Sequence, residues 1–342
     1  MKSLGVIILN WNGVELLKQF LPTAVKYTVS DEADLIVADN GSTDNSVEWI
    51  RNNCPEVKII ELDKNYGFAE GYNRAIRQSE YEYVVLLNSD VEVTDGWWQP
   101  LLRFMKETPN AGAAQPKIRS WHNKKMFEYA GAAGGYLDNL GYPYCRGRLF
   151  DIIEEDRGQY DGSPTDLCWA SGACLITRRE LYLSLGGLDE KFFAHMEEID
   201  LCCRILNAGY RVCAVTDSVV YHVGGASLNQ GNPKKTYLNF RNNLLLLHKN
   251  LPRKKGKRKL FIRRLVDTLA WGMFVVKGDF ANARAVFKAH NDFRKMKKEY
   301  TTFPDRDIIS LQPGSNRSAL LMRYLPFFLF TGLLITYYLC DH

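Results

Sequence analysis

The sequence predicts an α/β fold, a mixed, mostly parallel sheet flanked by helices, with a helical extension at its C-terminal end. Three observations carry that expectation. Apolar strand-like runs alternate with segments of helical spacing through the first hundred residues. Three of those runs stop abruptly in polar residues, as strands do at the ligand-binding edge of an open α/β sheet. Beyond about residue 252 the texture changes to basic clusters and apolar stretches.

The elements follow in order. Leu4 to Leu9 is a strand, and Val14 to Tyr27 has helical spacing. Asp34 to Ala38 is a strand ending at Asp39, and Thr43 to Asn53 a helix with Ser42 or Thr43 near its cap. Val57 to Leu62 is a strand, Phe68 to Gln78 a helix and Tyr83 to Leu87 a strand. A helix begins between Gly96 and Leu102 with Trp97 and Trp98 on its first turn. Residues 119 to 166 read as loop and hairpin. Ser171 to Thr177 is a strand, Arg178 to Leu185 a short helix, and a further helix runs from Glu197 to a stop at Gly209. Tyr210 to Val215 and Val219 to His222 read as two strands, and Tyr237 to Lys249 as a helix. The polar strand ends Asn10, Asp39, Asn88 and Asp90 are expected to converge on one sheet edge.

The bulk numbers exclude several classes. The chain has 342 residues, of which 46% are hydrophobic, enough for a sizeable core. Its net charge is +5, too mild to imply nucleic acid. Eight cysteines include no C-x-x-C pair, which argues against zinc and fits a reducing compartment. The first apolar run is too short, and lacks the cleavage site, for a signal peptide. No G-x-G-x-x-G follows the first strand, which disfavours a Rossmann dehydrogenase. A sugar nucleotidyltransferase would carry a basic, Gly-rich loop after that strand, where Asn10-Trp11-Asn12-Gly13 stands instead.

Five features carry chemistry. Asp90 closes an apolar strand, and a hard oxygen ligand there suits Mg²⁺ or Mn²⁺ riding on a phosphorylated substrate. In VADNGSTDNS, Asp39 is placed to accept from the N–H of a nucleobase, and the following turn opens a helix N-terminus that tolerates anions. In NYGFAEGYN, Asn65, Gly67 and Gly71 allow close backbone approach to a ligand. Glu197, Glu198 and Asp200 open a helix, where the dipole favours carboxylates; a positioned carboxylate there is also a candidate general base. His222 closes a strand and is a candidate metal or phosphate contact. Each has an ordinary structural reading when taken alone.

Taken together and in order, these residues resemble the inverting family 2 glycosyltransferases of the GT-A fold, closest to the bacterial rhamnosyltransferase-like branch. The resemblance covers roughly residues 3 to 250 and rests on VIILNWNG, ADNGSTDNS, NYGFAEGYN, LLNSDVEV, the SGACLITRRELYLSLGGLDEKFF block, EEIDLCCR and FRNN. It implies that Asp39 holds the donor's base, with Asn10, Asn65, Gly67 and Gly71 also on the donor side. Asn88 and Asp90 fall on the family's D-x-D, with Asp90 as metal ligand beside His222. The family's E-D motif falls on Glu197-Glu198, which leaves the base open between Glu198 and Asp200. Trp169, Ser171 and Gly172 fall on the acceptor side, and Arg241 on the diphosphate. The implied cofactor is divalent Mg or Mn, and the implied partners are a nucleotide-diphosphate sugar and a saccharide or lipid-linked saccharide acceptor.

The rest of the chain is expected to meet a membrane. The resemblance divides it into a catalytic domain over residues 1–250 and a basic, apolar helical region over 251–342. Basic residues crowd Arg253 to Arg264, before a twelve-residue apolar helix from Leu265 to Val276. Ala319 to Cys340 has the length of a membrane span with one charge, Arg323. The expected location is the cytoplasmic face of a bacterial inner membrane, peripheral or C-terminally anchored.

Overall fold

The computed structural model describes residues 2–149, 152–224 and 232–312. They fall into two units. Of the described residues, the first comprises 2–135, 145–148 and 153–224; the second comprises 136–144, 149, 152 and 232–312.

The first unit is built on a nine-stranded sheet. Strands β1 (Leu4–Asn10), β2 (Ala33–Asp39), β3 (Lys58–Glu61) and β4 (Tyr83–Leu87) run parallel in the order β4-β1-β2-β3. They are joined by α1 (Val14–Thr28), α2 (Ser46–Asn53) and α3 (Gly67–Arg77). A buried strand tolerates only apolar side chains on both faces, which is why Tyr83–Leu87 reads YVVLL and is buried throughout. Full burial of each such side chain contributes about 1.5–3 kcal/mol. After β5 (Val91–Val93), α4 (Gln99–Glu107) starts later than its pattern suggested, because Pro100 fits only the first helical turn. The two preceding indoles instead anchor the end of α1: Trp97 donates to Thr28 Oγ1 (3.2 Å) and Trp98 to the Tyr27 carbonyl (3.1 Å).

The sheet continues through a strand that the sequence did not reveal, β6 (Ala111–Ser120). Its AGAAQPKIRS has low strand propensity and an interior proline. The small residues serve close packing, since a Cβ on Gly112 would stand 2.4 Å from Ile205 Cγ2. Pro116 sits at a register irregularity of its neighbour. Buried Lys117 is paired with Asp156 and Asp161. Residues 119–166 are more ordered than expected. They hold the short strands β7 (Gly135–Leu137), β8 (Pro143–Cys145), β9 (Arg148–Leu149), β10 (Ile152–Ile153) and β11 (Thr165–Asp166).

Strand β12 (Cys174–Arg178) is antiparallel to both β4 and β6, and α5 (Arg179–Ser184) and α6 (Glu197–Asn207) follow it. The two strands expected near residue 215 are one long β13 (Arg211–His222), bulged between Val215 and Val219 and parallel to β6. The mixed, mostly parallel sheet expected from the sequence is the observed one.

The second unit is helical: α7 (Pro233–Asn250), α8 (Arg253–Val276), α9 (Phe280–Met296) and α10 (Ile308–Leu311). The twelve-residue helix expected at Leu265 is the second half of the 24-residue α8, which also takes in the basic run. Phe240, Ala270, Phe274, Val286 and Ala289 form its core. No helix among the described residues is long and apolar enough to cross a membrane. The stretch from Ala319 to Cys340 lies outside the described residues.

Candidate active site

The parallel register brings the strand ends together. Asn10 pairs with Asp39 across β1 and β2, and β4 lies on the other side of β1. Asn10 is buried and donates to Asp39 Oδ1 (3.0 Å) and Ser42 Oγ (3.2 Å); Asp39 Oδ2 accepts from the Ser42 N–H (2.9 Å). Asn65 Oδ1 accepts from Asn40 (3.0 Å) and from the Gly67 N–H (2.8 Å), bracing the turn before α3. Gly67 has φ +77° with open space where a Cβ would stand. Gly71 differs from expectation: a Cβ there would lie 2.8 Å from Leu9 Cδ1, so this glycine lets α3 pack on β1.

Asp90 follows β4 in a tight turn. Antiparallel pairing of β5 with β13 sets Val91 opposite His222, and the Val223 N–H donates to the Asp90 carbonyl (3.1 Å). The side chains meet as well, with Asp90 Oδ1 3.1 Å from His222 Nε2, both buried. The other ring nitrogen, Nδ1, faces Glu128 Oε1 at 3.6 Å. Burial pushes the Asp90 carboxyl up, but His222 and backbone donors more than offset this and hold it below its usual range. Burial alone would push His222 down; Asp90 and Glu128 instead push it up to about 10.

Without a cation His222 holds its proton between two carboxylates; a divalent cation beside Asp90 would displace that proton, and the neutral ring and the carboxylate would then both be donors to it. Two cis ligands of an octahedral Mg²⁺ or Mn²⁺ site at about 2.1 Å stand about 3.0 Å apart. The Asp90–His222 separation is 3.1 Å. Among the described residues no group of three or more His, Cys, Asp or Glu is arranged to hold a metal. Two protein ligands with substrate phosphates completing the shell is a common arrangement for such ions.

The acidic helix start packs beside the segment that pairs with the strand tip. The Ala173 carbonyl accepts from the Asn88 N–H (3.0 Å). A Cβ on Gly172, one residue earlier, would lie 3.6 Å from Glu198 Cβ and Cγ. Ser171 is held by its N–H to Gln115 Oε1 (2.8 Å). Trp169 is buried with its indole against Gly135. Just before α6, Phe193, His195 and Met196 all have positive φ, a strained path of the kind that clusters at functional sites.

The three carboxylates of α6 are in different states. Asp200 is fully buried and held by Arg204 at 2.8 Å through two nitrogens, and Arg204 also binds the Leu185 and Gly187 carbonyls. Glu197 is buried with Oε2 unpartnered, and burial, then the neighbouring Glu198, push its carboxyl well above the usual range. Glu198 is half-buried, and burial pushes it up to about 7.

Glu197 has a consequence for stability. Folding lifts its carboxyl above the value of 4.5 for an unburied glutamate, so the folded chain keeps a proton that the unfolded chain gives up. Stability therefore falls as pH rises past about 4.5. Thermal melts of Glu197→Gln are expected to match wild type near pH 4 and to exceed it by roughly 3 °C or more near pH 8. Equal shifts at both pH values would remove the buried charge as the cause.

Arg241 lies on α7 in the second unit, where its guanidinium binds Asn242 Oδ1 at 2.9 and 2.8 Å. Glu128 and Gln115 were not anticipated. Both depend on β6, whose Ala/Gly/Pro pattern hid the strand; Glu128 is placed by its N–H on the Ile118 carbonyl (3.1 Å).

Residues 5–149 match the family model described as Glycosyl transferase family 2. N-acetylglucosaminyl-diphospho-decaprenol L-rhamnosyltransferase of Mycobacterium tuberculosis is 27% identical over 234 residues, 64% of this chain and 75% of that protein. Among solved structures, GalNAc-T7 with UDP, GalNAc and Mn²⁺ superposes with a TM-score of 0.60 at 14% identity, covering 97% of this chain and 58% of that one. TarS 1-349 of S. aureus with UDP-GlcNAc does so at 0.58 and 17% identity, covering 99% and 90%. Residues 5–149 thus match the family 2 glycosyltransferases, and the sheet that carries them has the fold of these solved structures.

Proposed function

We propose that this chain is an inverting, metal-assisted transferase that moves a sugar from a nucleotide diphosphate to a saccharide or lipid-linked saccharide acceptor in cell-surface polysaccharide synthesis. The single observation that carries the reading is the buried Asp90–His222 pair, 3.1 Å apart, after a strand tip that pairs with the segment packed beside Glu198. The mycobacterial relative's rhamnosyl transfer to a diphospho-decaprenol acceptor supports that acceptor class. The donors in the superposed structures support a nucleotide diphosphate.

Glu198 takes the proton from the acceptor hydroxyl as that oxygen bonds to the anomeric carbon from the side opposite the leaving group. The bond from that carbon to the diphosphate oxygen breaks, its electron pair leaves with the nucleotide, and the configuration inverts. Asp39 and Asn10 hold the nucleoside end. A divalent cation, Mg²⁺ or Mn²⁺, would be held by Asp90 and His222 and would offset the charge gained by the departing diphosphate. Asp200 is committed to Arg204, which supports Glu198 as the base. Residues 1–250 carry this chemistry. Residues 251–342 meet an anionic membrane, on the cytoplasmic face of a bacterial inner membrane.

A panel of nucleotide sugars with Mn²⁺, scored for release of the nucleoside diphosphate, tests the proposal; no release with any donor and a range of lipid-diphosphate acceptors would reject it. Glu128 orients the His222 ring through Nδ1, as outer carboxylates commonly do for metal-binding histidines. Calorimetry of Mn²⁺–nucleotide binding to Glu128→Ala is expected to read a 10–100-fold weaker affinity. Unchanged affinity would make Glu128 a bystander.

A further inference from the structure

We propose that α8 docks the chain on an anionic bilayer by lying flat in the interface, with Phe261, Leu265, Leu269 and Val276 entering the acyl boundary. This rests on the reading that the chain works at a membrane, and it names the element that makes the contact. At 3.6 residues per turn those four positions fall within an arc of about 80° on one face of the helix. All four are exposed, from 55% for Leu269 to 81% for Val276. Their exposure is not needed for folding, because α8 buries its opposite face, Arg263, Asp267, Ala270 and Phe274, inside its own unit. An outward row of large apolar side chains marks an interaction surface.

The charge on the same helix selects the occupant. Lys254 and Arg258 continue the apolar arc toward the start of α8, and Lys257 and Arg264 border it. The helix carries eight basic residues and one acidic residue, Asp267, which is buried. Its outward face therefore offers cations beside an apolar stripe, with no carboxylate to repel a phosphate. A lipid surface supplies both complements, phosphates at the headgroups and hydrocarbon beneath them. A surface-lying mode follows from the helix itself, whose basic half could not enter a bilayer core. Exposed Phe280 and Phe287 on α9 add apolar side chains in the same unit.

The test is flotation of the full-length chain with vesicles of phosphatidylcholine plus phosphatidylglycerol, and with vesicles of phosphatidylcholine alone. Wild type is expected to float with the anionic vesicles and to bind the neutral ones far more weakly. A triple Phe261→Ser, Leu265→Ser, Leu269→Ser chain should bind the anionic vesicles at least about tenfold more weakly. A triple Lys254→Gln, Lys257→Gln, Arg258→Gln chain should lose roughly a hundredfold, and most of the salt dependence. Both variants should keep wild-type Mn²⁺–nucleotide binding, which controls for folding. If wild type floats and the serine variant floats equally well, α8 is not the contact, although the membrane reading survives. If wild type binds neither vesicle, both readings fall. A wild-type dimer, indifferent to vesicles and dissolved by the serine substitutions, would overturn the proposal and assign the face to a second copy of the chain.

Discussion

Glu198→Gln is expected to abolish sugar transfer while leaving the donor bound as tightly as in wild type. The substitution keeps the size of a side chain that packs beside Gly172 and removes only its ability to take a proton. A positioned base contributes about 10²–10⁴-fold to rate, and the loss should fall in kcat by that factor. The environment gives a second readout. Burial pushes the Glu198 carboxyl up to about 7, and only its ionised form accepts a proton. Wild-type kcat/KM should therefore rise with pH through about 7, provided the acceptor does not titrate there. Near-normal turnover by the glutamine variant would remove Glu198 from the chemistry. A pH profile flat across that range would remove its raised carboxyl from the account.

Asp90→Asn is expected to lose metal-dependent donor binding. The carboxylate is buried, touches His222, and stands at the separation expected of a neighbouring ligand on one ion. The amide is nearly isosteric but removes the charge that draws a divalent cation to the strand tip. Calorimetry with a nucleoside diphosphate should show Mn²⁺ strengthening wild-type binding, with most of that gain absent from the variant, a loss on the order of 10²-fold or more. Nucleotide binding in the absence of metal, supported by Asp39 and Asn10, should change little. An unchanged Mn²⁺ effect would reject Asp90 as a ligand.

These residues were legible to different degrees in the sequence, for physical reasons. The β4-β1-β2-β3 half of the sheet announced itself because buried parallel strands are continuous apolar runs and their polar ends mark the ligand edge. Asn10, Asp39 and Asp90 could be found for that reason. The other half was hidden. β6 is made of alanine, glycine, proline and a buried lysine whose partners lie some forty residues further on. Without β6, the backbone pairing that sets Glu128 behind His222 has no local signature. Glu198 and Asp200 could not be separated by spacing, since both open the same helix. The Arg204 pair at 2.8 Å gives them different surroundings, and that contact exists only in three dimensions. The basic run and the apolar segment after it looked like two features. They are one helix, because nothing between Lys259 and Leu265 breaks the backbone pattern.

The most direct test is an anomalous difference map from crystals of the chain with Mn²⁺ and a nucleoside diphosphate. A manganese peak about 2.2 Å from both Asp90 and His222, shared with the diphosphate and with the nucleoside at Asp39, is the predicted result. A nucleotide bound away from Asp39, or manganese held by other side chains, would contradict the account.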